Sequence, residues 1–348
     1  MSRVYLDWNA TAPLRPEARA AMAAALDVTG NPSSVHAEGR AAKMLLERAR
    51  DDLAEALGAA KADIIFTSGA TEAAALALDG QGLACAGIEH DAVRAWCGET
   101  LAADASGQVA VPDPARATLQ IANSETGVIQ TLPQGLAVSD LTQGFGKIPL
   151  AFDWLGIDAG FVSAHKLGGP RGVGALILRA GVDRTAILRG GGQETGRRAG
   201  TENLAGIAGF AAAARAAQRD LGSGMAEKLI EMRDRLISRL EVDNKNTMFP
   251  GRESPRLPQT LSILTPGWRG ETQVMQMDLA GFAVSAGSAC SSGKVRASGV
   301  LRAMGVPDGD AGCALRVSFG GTTTQEELDS FAAAWVAARA RWQSKQGR

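Results

Sequence analysis

The chain has 348 residues, 45% of them hydrophobic and 21% charged, with a formal net charge of -1; this is the make-up of a globular enzyme and excludes a disordered or fibrous class. So small a net charge sets no field to collect nucleic acid or an anionic lipid surface, so neither is expected as a direct partner and small-molecule chemistry is favoured. No apolar run reaches about 18 residues and the first ten carry Arg3 and Asp7, so the chain reads as cytoplasmic, where Cys85, Cys97, Cys290 and Cys313 stay thiols without metal-type spacing.

With 42 glycines, short apolar runs ending in Gly, Ser, Thr or Asn alternate with Ala-rich stretches, which is the α/β pattern with mostly parallel strands. In chain order, Ala41, Leu45, Ala49, Leu53 and Leu57 predict a helix over residues 38–57, stopped by Gly58. Buried strands follow at 64–67, 119–122, 136–138, 160–163 and 173–178. A second long helix spans 225–240, with Met225, Leu229, Met232, Leu236 and Leu240 on one face. The polar, proline-containing stretch 243–258 reads as a loop leading to strands at 260–264, 282–285 and 315–318. Single cores stop growing at roughly 250–300 residues. The expectation is therefore a large unit over 14–245, its sheet flanked by helices, and a smaller α+β unit formed by 1–13 and 246–348.

Several segments carry groups suited to chemistry. Phe66-Thr-Ser-Gly-Ala-Thr-Glu72 places a small-residue turn between a strand and an Ala/Leu-rich helix; its free N–H groups suit a phosphate, with the Thr71 hydroxyl as a further donor, and equally suit a plain cap. His90, one of three histidines, can exchange protons, lie flat on a cofactor ring, or serve structure alone. Asp140 stands just past a strand, where α/β sheets bind ligands; it can keep a heteroaromatic nitrogen protonated or cap a helix. Lys166 ends an apolar strand and precedes glycines. Burial and neighbouring cations favour the neutral amine of a lysine, which condenses with aldehydes, whereas a strand-end lysine can also reach solvent. Cys290 lies among Ser, Ala and Gly that build no core around it, favouring reactivity, while Cys85, Cys97 and Cys313 suit burial. Arg316 interrupts an apolar strand, and its fork fits a carboxylate ligand or a buried ion pair.

Taken in order, these segments resemble the cysteine desulfurases of the NifS and IscS type, within the class V aminotransferase superfamily. The resemblance runs through Tyr5-Leu-Asp-Trp-Asn-Ala-Thr-Ala-Pro13, Gly30-Asn-Pro-Ser-Ser-Val-His36, Thr67-Ser-Gly-Ala-Thr-Glu72, Glu89-His90, Asn123-Ser-Glu-Thr-Gly127 and Asp140-Leu-Thr-Gln143. It continues through Ser163-Ala-His-Lys166, Gly190-Gly-Gly-Gln-Glu194, Arg198-Ala-Gly-Thr-Glu-Asn203, Gly287-Ser-Ala-Cys290 and Arg316-Val-Ser-Phe-Gly320. It implies the aspartate-aminotransferase-like fold (type I) of the enzymes that use pyridoxal 5'-phosphate, with the cofactor carried on Lys166. Asp140 would pair with the pyridine nitrogen, His90 would stack on the ring and shuttle protons, and Gln143 would bond the phenolic oxygen. Ala70, Thr71, Ser163 and His165 match the phosphate cradle, to which Thr201 would contribute from the other subunit of a homodimer. Asn31 and Arg316 match groups that hold the substrate, L-cysteine. Its sulfur would pass to Cys290 as a persulfide, leaving L-alanine, and on to an acceptor protein such as an iron–sulfur scaffold or a tRNA-modifying enzyme.

The sequence departs from that pattern at Ser124, where a second asparagine is usual, and at Ala75, another asparagine position. The stretches from Glu72 to Glu89 and from Gln130 to Asp140 are short, implying trimmed helices. An aminotransferase or selenocysteine lyase would use the same lysine and aspartate, and a noncatalytic relative acting as a partner protein would keep the fold alone.

Overall fold

The computed structural model describes residues 3–242, 246–287 and 297–346, so Cys290 lies outside the described residues. The 21-residue helix Ala37–Leu57 is capped at its start by the His36 side chain, which accepts from the Gly39 N–H, and ends at Gly58 in the left-handed conformation (φ 59°). Its buried face is Ala42, Leu46, Ala49, Leu53, Ala56 and Leu57, which keeps Ala49, Leu53 and Leu57 of the expected stripe but replaces Ala41 and Leu45. Strict fourfold spacing winds about 40° round a helix at each step, so Ala41 ends up exposed while alternating steps of three and four stay on one side. That side packs against the helix Leu204–Gly222.

The central ladder runs in the order Asp63–Thr67, Gly174–Leu178, Ile157–Ser163, Leu136–Asp140. Gly174–Leu178 is antiparallel to both its neighbours and only the last pair is parallel, so the ladder is mixed rather than mostly parallel. Parallel contacts Thr118↔Val138 and Ala84↔Ala117 extend the layer to the parallel strands Ala84–Ala86 and Gly98–Leu101. Residues 119–122, expected as a strand, form only part of a ladder because side chains intrude. The Gln120 N–H is taken by the Glu89 carboxylate (2.7 Å), and the Ser139 hydroxyl donates to the Leu119 carbonyl (2.7 Å). Both sheet faces are dry. Ile64, Phe66, Ala175 and Ile177 pack with the two long helices, while Ile65, Leu176 and Leu178 pack with the helix Ala70–Leu78 on the other face, as the two-residue period of a strand requires.

A second core forms around Thr260–Leu264, antiparallel to Ala314–Ser318. Val4–Tyr5 pairs in parallel with Phe282–Ala283, and Asp7 bridges to Ser318. The helix Met225–Glu241 buries Leu229, Met232, Leu236 and Leu240 against Leu261, Ile263, Leu315 and Phe331, so we propose that it belongs to the C-terminal unit and not to a large unit ending at 245. Among the described residues no helix is long and apolar enough to cross a membrane.

Candidate active site

Asp140 and Ser163 close two adjacent parallel strands, with Asp140 in register with Phe161, and the turn Ala164–Lys166 follows directly. A cleft of about 580 Å³ opens at these strand ends, well within the roughly 300–1,000 Å³ of small-molecule sites. Lys166 lines it, half-buried, and its Nζ donates to the carbonyls of Asn9 (2.8 Å) and Ala10 (3.0 Å). The amine is thus held by the backbone of a segment more than 150 residues away (sequence separation 157). The cleft also brings together Ala70, Thr71, His90, Asp140, Gln143, Ser163, His165 and Arg316. It does not include Asn31 or Thr201. Both are exposed in the single chain, and the Asn31 Oδ1 accepts from the Ser33 N–H (2.9 Å).

At one end, Gly69 adopts φ 156° and ψ 178° before the helix Ala70–Leu78, whose start carries no side-chain cap. That backbone region is essentially restricted to glycine, and an uncapped helix start offers N–H donors and a positive end to an anion. Gly174 backs this turn: a Cβ there would fall 2.7 Å from Gly69 Cα and 2.6 Å from the Val162 carbonyl. The strand leading in is pinned by Glu194, whose carboxylate accepts from the Phe66 N–H (2.9 Å) and from both ends of the Arg50 fork (2.8 and 3.0 Å).

His165 lies beside the cradle, its Nδ1 3.2 Å from Thr11 Oγ1. Burial, with Lys166, Arg171 and Lys147 nearby, lowers its pKa to about 4, so the ring is neutral at neutral pH. The unfolded chain, with its histidine near 6.5, takes up this proton first. His165 therefore contributes stability that is complete above about pH 6.5 and is lost as pH falls towards 4. Thermal unfolding followed by circular dichroism should show a midpoint that drops across this window, with a shallower drop in His165→Gln; an identical slope in the variant would contradict the burial described.

At the other end, His90 caps the short helix Asp91–Arg94, its Nδ1 accepting from the Ala92 N–H at 3.0 Å. The neutral ring therefore carries its proton on Nε2. Behind it, burial, with Asp140 and Cys85 also close, pushes the Glu89 carboxyl well above the usual range, against the lowering effect of the Gln120 N–H. One Asp140 oxygen accepts from the Thr142 N–H (2.8 Å). Gln143 donates from Nε2 to the Asn9 carbonyl (3.1 Å), and its Oε1 accepts from Lys147.

Lys147 was not singled out by the sequence reading. The signal was present, since Gly144-Phe-Gly-Lys-Ile148 sets a lysine among small and apolar residues just as at Lys166.

Arg316, 5% exposed, makes the ion pair that was one of its two readings, with Nη2 2.7 Å from Asp7. Its Nη1 donates to the Ser124 carbonyl (3.1 Å), which also accepts from Asn9 Nδ2 (3.0 Å). Position 124 therefore serves through its backbone. Among cleft-lining residues, Asn9 Oδ1, Thr142 Oγ1 and Arg316 Nε are buried without a partner. Buried polar atoms are normally satisfied, so these three mark a cavity built for a polar ligand. An uncapped helix start for a phosphate, a lysine amine for an aldehyde and a carboxylate for a ring nitrogen fit pyridoxal 5'-phosphate. Of the remaining thiols, Cys85 and Cys313 are buried and Cys97 is half-buried.

The fold is that of an α/β enzyme with a lysine amine and a carboxylate facing one cleft at the carboxyl ends of its strands. The chain belongs to the aminotransferase class-V family, whose model matches residues 4–93 and 99–331. It is 36% identical over 362 residues to a cysteine desulfurase IscS of Dictyoglomus turgidum, covering 94% of this chain and 92% of the relative. It is 40% identical over 367 residues to a cysteine desulfurase of Cereibacter sphaeroides, covering 94% of each. The X-ray structure of a NifS-like protein from Rickettsia africae superposes with a TM-score of 0.86 at 30% identity, over 96% of this chain and 98% of that one.

Proposed function

We propose that the chain is a pyridoxal-phosphate-dependent cysteine desulfurase that passes sulfur from L-cysteine through Cys290 to an acceptor protein. The observation that carries this is a lysine amine held on two backbone carbonyls in a cleft shared with Asp140 and an uncapped helix start, in a chain up to 40% identical to cysteine desulfurases.

Bound pyridoxal phosphate supplies an aldehyde and an electron-withdrawing ring. The N–H groups at Ala70 and Thr71, the Ser163 hydroxyl and the neutral His165 would hold its phosphate, with Thr201 of a second copy in a homodimer as a further donor. The Asp140 carboxylate would keep the ring nitrogen protonated, and the Gln143 carboxamide would donate to the phenolic oxygen. Lys166 Nζ is the group that would hold the cofactor's aldehyde, at the place where the amine of L-cysteine would bind. Lys166 Nζ and His90 Nε2 are the groups that move protons, while the Arg316 fork takes the substrate carboxylate, shared with Asp7.

The Cys290 thiolate then attacks the substrate sulfur. An S–S bond forms, the C–S bond breaks, and its electron pair stays with the carbon skeleton, which takes up a proton and leaves as L-alanine. The persulfide on Cys290 passes to an acceptor, an iron–sulfur scaffold or a tRNA-modifying enzyme.

Incubation with L-cysteine and pyridoxal phosphate, followed by intact mass measurement, tests this directly. The chain should gain the mass of one sulfur atom and the Cys290→Ala variant should not. An aminotransferase would keep its activity in that variant, and a protein that stays colourless with added cofactor would be noncatalytic.

A further inference from the structure

Gln143 faces a choice that its own chemistry does not settle. A carboxamide can turn either its oxygen or its NH2 towards the cleft, and the two orientations nearly superimpose in shape. Only the NH2 can donate to an anionic oxygen. In this structure the Oε1 is engaged by the Lys147 amine, four residues on, and the Nε2 points to the Asn9 carbonyl. That carbonyl is also an anchor of Lys166. Lys147, Gln143, Asn9 and Lys166 thus form one continuous hydrogen-bonded chain from behind the cleft to its central amine.

Lys147 lies beyond the cleft wall, in a second cavity of about 70 Å³ lined mainly by apolar groups such as Trp8, Leu167, Met225 and Phe319. Burial first, and then the charges of Lys166 and Arg316, push its amine well below the usual lysine range. Lys147 serves there as an N–H donor to Gln143 Oε1. The titratable groups around it are Lys166, Arg316, His165 beside Lys166, and the Arg15–Asp220 pair across the small cavity.

We propose that Lys147 is a positioning residue, which fixes the Gln143 carboxamide so that its NH2 is the group offered to the cofactor's phenolic oxygen. The proposal deepens the functional reading above and rests on Lys166 carrying the cofactor. It predicts that Lys147 acts on the cofactor only through Gln143, which a structural lysine would not do.

The test is a double-mutant cycle of Lys147→Met and Gln143→Ala, read as the pyridoxal phosphate dissociation constant and as the pH midpoint of the visible absorption band. Losing one oriented hydrogen bond should weaken cofactor binding about tenfold in the Lys147→Met variant. The same change made in the Gln143→Ala background should cost less than about twofold. The pH midpoint should move in Lys147→Met and not move further in the double variant. Equal effects in both backgrounds, or none in the single variant, overturn the positioning role while leaving the functional reading intact. An unsubstituted chain that takes up no cofactor overturns the functional reading and this inference with it. If Lys147→Met does not yield folded protein, Lys147→Gln, which keeps an N–H donor without the amine, takes its place; it should bind the cofactor within about twofold of the unsubstituted chain, and a tenfold loss would overturn the proposal.

Discussion

Replacing Lys166 with alanine should remove the visible absorption of the lysine-bound cofactor and lower alanine formation from L-cysteine by about 10³-fold or more. Covalent capture and proton transfer are both lost in this change, and positioned proton transfer alone contributes about 10²–10⁴-fold. The fold should survive. Nζ donates to the backbone carbonyls of Asn9 and Ala10, and the Asn9 carbonyl keeps a donor in Gln143 Nε2, so each lost hydrogen bond should cost about 1 kcal/mol. Absorption spectroscopy of the purified variant with added cofactor, alongside an alanine assay, reads both effects. Activity within tenfold of the unsubstituted chain would remove Lys166 from the reaction.

Arg316→Leu should be the most damaging change on the substrate side, and it should act on two quantities at once. The guanidinium side chain is 6% exposed and its Asp7 partner 18%. Removing it leaves a largely buried carboxylate unpaired, which costs about 3 kcal/mol. It should also raise KM for L-cysteine about a hundredfold, the scale of losing a charge-assisted fork on a carboxylate. Asp7→Asn separates the two consequences: it breaks the ion pair but leaves the fork, so stability should fall while KM stays within a few-fold. Denaturant titration and steady-state kinetics on the two variants distinguish the roles. A normal KM in Arg316→Leu would leave Arg316 as a structural ion-pair partner only.

The groups legible in the sequence were those whose chemistry conflicts with their local setting. A lysine at the end of an apolar strand, an aspartate just beyond another and an arginine inside a third each stand out, and the structure places all three on one cleft. The reversed direction of Gly174–Leu178 left no trace, because a strand buried on both faces reads as the same apolar run whichever way its neighbours point. Backbone contributions were equally silent: the carbonyls that hold Lys166 belong to Asn9 and Ala10, and no residue type announces a carbonyl's direction. At residues 119–122 the apolar pattern was correct and Leu119 and Ile121 bond to the strand beside them, but the Gln120 N–H and the Leu119 carbonyl turn to the Glu89 and Ser139 side chains, whose reach depends on tertiary placement. Asn31 and Thr201 were expected from the resemblance alone, and both stay outside the cleft of their own chain.

The short stretch around Asp7 and Asn9 has a bearing on how the molecule is made. Asn9 holds the amine of Lys166 from one side, while Asp7 and Asn9 bond to Arg316 and Ser318, each across 309 positions of sequence. During synthesis the helices and the central sheet can collapse as soon as their own residues emerge. The lysine's resting place, however, stays incomplete until the polypeptide around residue 318 has left the ribosome, because only then is its supporting stretch locked down. The support of the cleft's central amine thus depends on contacts that join the two ends of the chain.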